Sequence, residues 1–246
     1  MITILETVVG STLHGIAVND GLEDTDYMGV CIEDKKKLIG LAEWKGTIVE
    51  RTKPEGVRSE AGDVDRVTYG LRKYLRLALG GNPSVLLPLF APTQFITQCT
   101  TEGDELRGLA SKIVSAKIRT PFMGYARQQH ERMLGLRGQR NVTRPELVDK
   151  YGYDTKYASH IIRLCIQGME LLSCGKLSLP MAEPDAKFLR GIRKGALKLG
   201  EVSEVILDYE NKLATCPTML PAEPDYEFVE NWMTDKYMHY WMNDGE

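Results

Sequence analysis

No stretch of these 246 residues stays apolar long enough to span a bilayer, and the N-terminus lacks a basic region followed by a long apolar core. Neither a membrane anchor nor a secretory leader is therefore expected. Cysteine is sparse: Cys31, Cys99, Cys165, Cys174 and Cys216 are odd in number, widely spread and never spaced as Cys-x-x-Cys. That argues against a zinc knuckle or a redox pair and suits a reducing, cytoplasmic setting. An excess of one charge sign is also missing. Lys and Arg number 31 against 34 Asp and Glu, a net charge of −3, so bulk electrostatics offers no tight non-specific hold on nucleic acid, and only local basic faces remain open to it. There is no internal repeat and no low-complexity tract. The apolar (43%) and charged (26%) fractions are those of a folded globular chain, long enough for one large or two small domains.

What is present begins with Gly10-Ser11, which closes the alternating apolar run Ile2–Val9. Such a run predicts a buried strand. A small-residue turn leaving a strand can open a helix whose free N–H groups, with a serine hydroxyl beside them, hold phosphate. Twelve residues on come Asp24-Thr25-Asp26, just ahead of the second apolar run Tyr27–Ile32. On an extended backbone both carboxylates point to the same side, roughly 7 Å apart. Hard oxygen donors that close can share divalent cations. A further pair, Asp63 and Asp65, precedes Arg66-Val67-Thr68-Tyr69. Both have the same strand parity, so either can supply a third carboxylate.

Leu38 to Arg51 predicts two strands around a turn, and 53–62 a polar loop. Val67, Leu71, Leu75 and Leu79 recur at helical spacing, predicting a helix over 66–79 that Gly80-Gly81-Asn82-Pro83 stops. A short apolar helix follows over 84–90. Helices are expected at 102–116, 120–136, 144–150, 154–174, 184–198, 201–214 and 225–242. The composition thus shifts near residue 100 from a unit carrying the carboxylates to a helical one. In the helix from 154, Lys156, His160 and Arg163 share one face by their spacings of four and three, opposite Ala158, Ile161, Ile162 and Cys165. That face is either a solvated basic stripe or a phosphate-neutralising one. His14, inside the Gly10–Gly15 turn, is open to contact with phosphate but reads rather as an exposed or capping loop histidine, and His130 reads as a surface residue. Arg190, Arg193, Lys194 and Lys198 read as a wet helix face able to follow a nucleic-acid backbone. The aromatic tail with Trp232, Tyr237 and Trp241 reads as a packing face.

The order hydrophobic–Gly–Ser, about a dozen residues, Asp-x-Asp and a later Asp resembles the DNA polymerase β-like nucleotidyltransferase superfamily. Gly10-Ser11-Thr12-Leu13-His14-Gly15 with Asp24-Thr25-Asp26-Tyr27-Met28-Gly29, the block Leu71–Pro83, and Lys156-Tyr157-Ala158-Ser159-His160 through Arg163 are similar to one branch of it. That branch is the minimal nucleotidyltransferases with RNA-ligase-associated and phage members. After Asn82-Pro83 the chain departs from it, with Leu87-Pro88 where an acidic residue is common.

The resemblance implies an α/β (α+β) nucleotidyltransferase domain with a small mixed sheet over 1–100, followed by an all-α bundle over 101–246. It implies Asp24, Asp26 and Asp65 as catalytic and metal-holding residues for two Mg²⁺ or Mn²⁺ ions. Gly10, Ser11, Lys156, His160 and Arg163 would bind the substrate. An NTP would be the donor, and an RNA 3′ end such as a tRNA the acceptor, with a protein or small-molecule hydroxyl as alternatives. A catalytically silent nucleotide- or RNA-binding module is the other reading. The expected location is the cytoplasm, that of a host if the chain is phage-borne.

Overall fold

The computed structural model describes residues 1–18, 25–54, 62–136 and 144–243. Five strands form one mixed sheet in the order β3-β4-β2-β1-β5. They are β1 (Ile2–Val8), β2 (Thr25–Ile32), β3 (Thr47–Arg51), β4 (Val64–Gly70) and β5 (Ile96–Cys99). Only β2 and β4 run parallel. The central strand is β2, and its near-continuous apolar run, Met28 to Ile32, suits burial on both faces. Helix α1 (Gly10–His14) leaves β1, α2 (Lys35–Ile39) leaves β2, and α3 (Leu71–Leu79) follows β4 directly, with α4 (Leu87–Phe90) before β5.

The remainder is helical. It comprises α5 (Thr101–Gly108), α6 (Ala110–Ile113), α7 (Arg119–Met133), α8 (Pro145–Tyr151), α9 (Thr155–Cys174), α10 (Glu183–Arg193), α11 (Leu199–Thr215) and α12 (Tyr226–Asn243). Helix α9 is the axis of this half, packed against α7, α10 and α11. Its apolar positions Ala158, Ile161, Ile162, Cys165, Leu171 and Leu172 are all buried. Asp154 caps its start by accepting from Lys156 N and Tyr157 N, and Gly175 ends it in the left-handed region. One hydrophobic core runs from Ile4 on β1 to Tyr237 on α12. The fold is thus a five-stranded mixed sheet with helices, followed by a helical region, in line with the expected α/β (α+β) unit and helical part. No helix among the described residues is long and apolar enough to cross a membrane.

Three local expectations are corrected. Residues 66–70 continue β4 instead of opening a helix. Val67-Thr68-Tyr69 are β-branched and aromatic, and a parallel partner in β2 takes up their backbone groups. The first half of 38–51 ends α2, and only 47–51 pairs as a strand. Expected as one helix, 102–116 breaks: α5 ends at Gly108, α6 covers only Ala110–Ile113, and the extended Ser115, whose hydroxyl accepts from Lys117 N, opens a 3-10 turn over Ala116–Ile118.

Where β4 turns into α3, the buried Glu33 closes the junction. Its Oε2 accepts from Leu71 N at 3.0 Å and from the Tyr237 hydroxyl, which itself accepts from Arg72 N at 3.1 Å. Two orphan N–H groups of α3 are thereby satisfied from outside the helix. Trp44 Nε1 donates to Glu33 Oε1, and Trp241 Nε1 to the Glu33 carbonyl. A Cβ on Gly70 would lie 1.8 Å from Glu33 Oε1, so no larger residue fits there. The aromatic tail is therefore a packing face with polar ends, seated on the sheet's α3 end. Tyr237→Phe is expected to lower the unfolding free energy by about 1.5–3 kcal/mol, the usual loss for a hydrogen bond to a charged group. Urea melts check this, and an unchanged midpoint would remove Tyr237 from the closure of α3.

Candidate active site

The register of the parallel pair β2/β4 places Asp26 directly beside Asp65. Neighbouring strands stand about 4.8 Å apart, so the two carboxylates start from adjacent points on one sheet face. Asp63 lies just before β4, and its carboxylate meets Lys53 Nζ at 3.3 Å. Asp65, and not Asp63, lines the cavity described next. Asp24 lies outside the described residues. Among the described residues no group of three Asp, Glu, His or Cys side chains could hold a metal ion; Asp26 and Asp65 are a pair.

The α1 turn comes up against this pair. Val9 N donates to the Asp26 carbonyl at 2.8 Å. Gly10 has φ +75°, and a Cβ there would sit 2.6 Å from Asp26 Oδ2. Both the left-handed backbone and the contact exclude a side chain. Two arginines of α10 hold the far end of the turn: Arg190 Nη1 donates to the Gly15 carbonyl and Arg193 Nη1 to the Ile16 carbonyl, each at 2.6 Å. These are the residues expected on a wet, nucleic-acid-following face; here their guanidinium groups pin backbone, while Lys194 and Lys198 are exposed.

Opposite the sheet, α9 presents Lys156, Ser159, His160 and Arg163. These side chains, with Gly10, Ser11, His14, Asp26, Asp65, Arg51 and Arg193, line one cavity of about 380 Å³. Every proposed site residue within the described part of the chain therefore meets in one place. Two carboxylates on the sheet share this cavity with four cations: Arg51, beside Asp65 in the β3/β4 register, Lys156 and Arg163 of α9, and Arg193 of α10. Burial pushes Arg163 down to about 10. His160 is held well below the usual histidine range by burial first, then by Arg163 and Lys156.

His14, expected in an exposed loop, is 3% exposed. Its Nε2 stands 2.6 Å from Arg163 Nη1 and its Nδ1 3.1 Å from Gln167 Nε2, while Arg163 Nη1 donates to Gln167 Oε1 at 2.7 Å. Burial and then Arg163 hold its pKa well below the histidine norm. The short turn of α1 buries it, which loop composition does not reveal. Gln167 escaped the sequence reading, although its place four residues after Arg163 puts it on the same helical face. His130 is half-buried as well, 3.5 Å from Glu210 Oε1.

The family model described as RNA repair pathway DNA polymerase beta family matches residues 2–194 of the chain. No curated protein and no solved structure matches the chain.

The two depressed histidines have a consequence for stability. Because their folded pKa values lie below the unfolded 6.5, the unfolded chain takes up the protons first. Their contribution is full above about pH 6.5 and is lost on acidification, by up to ~1.4 kcal/mol per pH unit for each histidine. Urea midpoints between pH 7.5 and 5 measure it, and His160→Gln should flatten the decline by roughly half. An identical slope in the variant would mean that folding does not shift the titration of His160.

Proposed function

Since the chain belongs to the RNA repair pathway DNA polymerase beta family, a family of polymerase β-like nucleotidyltransferases, we propose that it moves a nucleoside monophosphate from an NTP onto an RNA 3′ end, such as that of a tRNA. Pyrophosphate is the other product. One juxtaposition supports the reading: the in-register carboxylates Asp26 and Asp65 face Lys156 and Arg163 across a cavity bordered by the Gly10-Ser11 turn. The RNA acceptor is supported by the family's description alone.

In this reading the Ser11 hydroxyl and the first N–H groups of α1 hold the β- and γ-phosphates. Lys156 supplies a mobile point charge, and Arg163 a planar fork that can grip a phosphate with two hydrogen bonds. His160, kept neutral, lines the same phosphate path. Asp65 accepts the proton of the acceptor hydroxyl. The acceptor oxygen bonds to the α-phosphorus, and the bond from that phosphorus to the oxygen bridging to the β-phosphate breaks, its electron pair leaving with pyrophosphate. Asp26 and Asp65 are hard oxygen donors on one face, a set that fits Mg²⁺ or Mn²⁺, and Asp24 joins them by its place in the motif. Two such ions, when bound, would activate the hydroxyl and stabilise the leaving group.

The test is transfer of label. Incubated with each α-³²P-labelled NTP, Mg²⁺ or Mn²⁺ and a pool of small RNAs, the protein is expected to label RNA and release pyrophosphate. Label appearing on protein or a small alcohol would replace the RNA acceptor, and no label anywhere would leave a silent binding module. Asp26→Ala and Asp65→Asn should abolish transfer, whereas Asp63→Asn should be mild; the reverse ranking would exchange the roles of Asp63 and Asp65.

Arg163→Ala should weaken NTP binding by about tenfold to a hundredfold, the loss of a charged hydrogen bond, and leave nucleoside binding nearly unchanged. Isothermal titration with both ligands reads the difference. Equal losses for the two would return α9's basic face to a solvated stripe.

A further inference from the structure

At the other end of the sheet from Asp26 and Asp65 lies a second cavity, of about 640 Å³, between α2, the segment 40–46 and α3. Its walls carry Lys37, Lys45, Arg72, Lys73 and Arg76 against one carboxylate, Glu33. That carboxylate is buried and already engaged by Leu71 N, the Tyr237 hydroxyl and Trp44 Nε1. Helix α3 holds no acidic residue. Arg72 and Arg76 stand one turn apart on it, both exposed, and neither forms an ion pair with a described residue. Glu230 of α12 shares a neighbouring cavity with them but does not close on either. In a chain of net charge −3, this is a local positive field that the fold leaves largely unneutralised. The cavity is also braced. Lys73 Nζ donates to the Lys45 carbonyl at 2.9 Å and to Thr47 Oγ1 at 2.6 Å. Gly46, at φ +67°, passes so close that a Cβ there would stand 3.0 Å from Lys73 Cδ.

We propose that this cavity holds the phosphodiester backbone of a single-stranded RNA acceptor whose 3′ end lies at Asp26 and Asp65. The inference rests on the reading that the acceptor is RNA, and it seats the upstream nucleotides on a surface that takes no part in the transfer. The ligand class follows from the spread of the charges. Cations on α2, on the 40–46 segment and along one turn of α3 suit a row of phosphates, whereas a single compact anion needs donors converging on one point. Trp44 lines the same cavity, with Lys37 Nζ 4.8 Å from its ring centroid, so an aromatic surface and a cation stand together, as sites for single strands combine them. Edge strand β3 supplies the path. It runs from Thr47, just past Gly46 and beside Tyr69, to Arg51, beside Asp65, with one cavity at each end. From Asp26 to Glu33 along β2 is roughly 20–23 Å, about six or seven nucleotides of a stacked strand.

Fluorescence anisotropy with 5′-fluorescein-labelled single-stranded RNAs of increasing length, titrated without NTP, tests it. The double variant Arg72→Gln/Arg76→Gln should bind a long RNA about twentyfold more weakly at about 0.1 M salt. Its salt slope should flatten by about 1.4, at ~0.7 for each lost phosphate contact. A dinucleotide, too short to reach from one cavity to the other, should bind the variant as it binds the wild type. Arg72→Lys/Arg76→Lys should keep the wild-type slope, which separates the charges from a structural role. Equal affinity and slope for the wild type and the glutamine variant on long RNA overturn the proposal, as does the same loss on the dinucleotide. Vesicles of phosphatidylserine and phosphatidylcholine that bind through Arg72 and Arg76, with RNA indifferent to both, overturn it in favour of a membrane surface. Failure of the nucleotidyl-transfer reading looks different: long RNA would depend on both arginines while no NTP yields labelled product.

Discussion

Two carboxylates at one register position are the constraint around which this structure is arranged. Asp26 and Asp65 leave adjacent parallel strands side by side, and like charges that close oppose one another and the fold. Their neighbours are organised to accept this arrangement. Gly10 gives up a side chain so that Asp26 Oδ2 can approach the turn, and Asp63 is drawn off by Lys53. The cations of β3, α9 and α10 line the same cavity as the pair, Arg51 beside Asp65 in the sheet and the others from the helical half.

The helical half supplies much of that place. One face of α9 is locked into the core by Ile161, Ile162 and Cys165, while the other carries Lys156, His160, Arg163 and Gln167 toward the sheet. The apolar face fixes the helix's rotation, and on the polar face Arg163 and Gln167 are held further by each other and by His14. Helix α10 acts differently. Its arginines hold carbonyls of the α1 turn and so join the helical half to the residues that lead from β1 to the site.

How far the sequence could be read depended on whether the signal was local. The β1–α1–β2 passage was legible because alternation, a Gly-Ser turn and an Asp-x-Asp are short-range patterns; Asp24 itself falls outside the described residues. Helix α9 was legible from its two-sided periodicity. The stretch 66–70 misled, because Val67, Leu71 and Leu75 keep helical spacing across a strand–helix junction, and only pairing with a distant strand decides the matter. His14 misled for the same reason: its partners lie about 150 positions away. Burial created by remote elements leaves no trace in the composition of a turn.

The Glu33–Tyr237 bond has a meaning for the order of events during synthesis. Its two ends are 204 residues apart, which at about 5–20 residues per second is roughly 10–40 s of translation. Through that interval the early strands emerge with a carboxylate destined for burial and no hydroxyl to satisfy it. The sheet end at α3 can therefore reach its final closed form only after α12 has left the ribosome. The strands that carry the carboxylates are made well before α12, the helix that completes them.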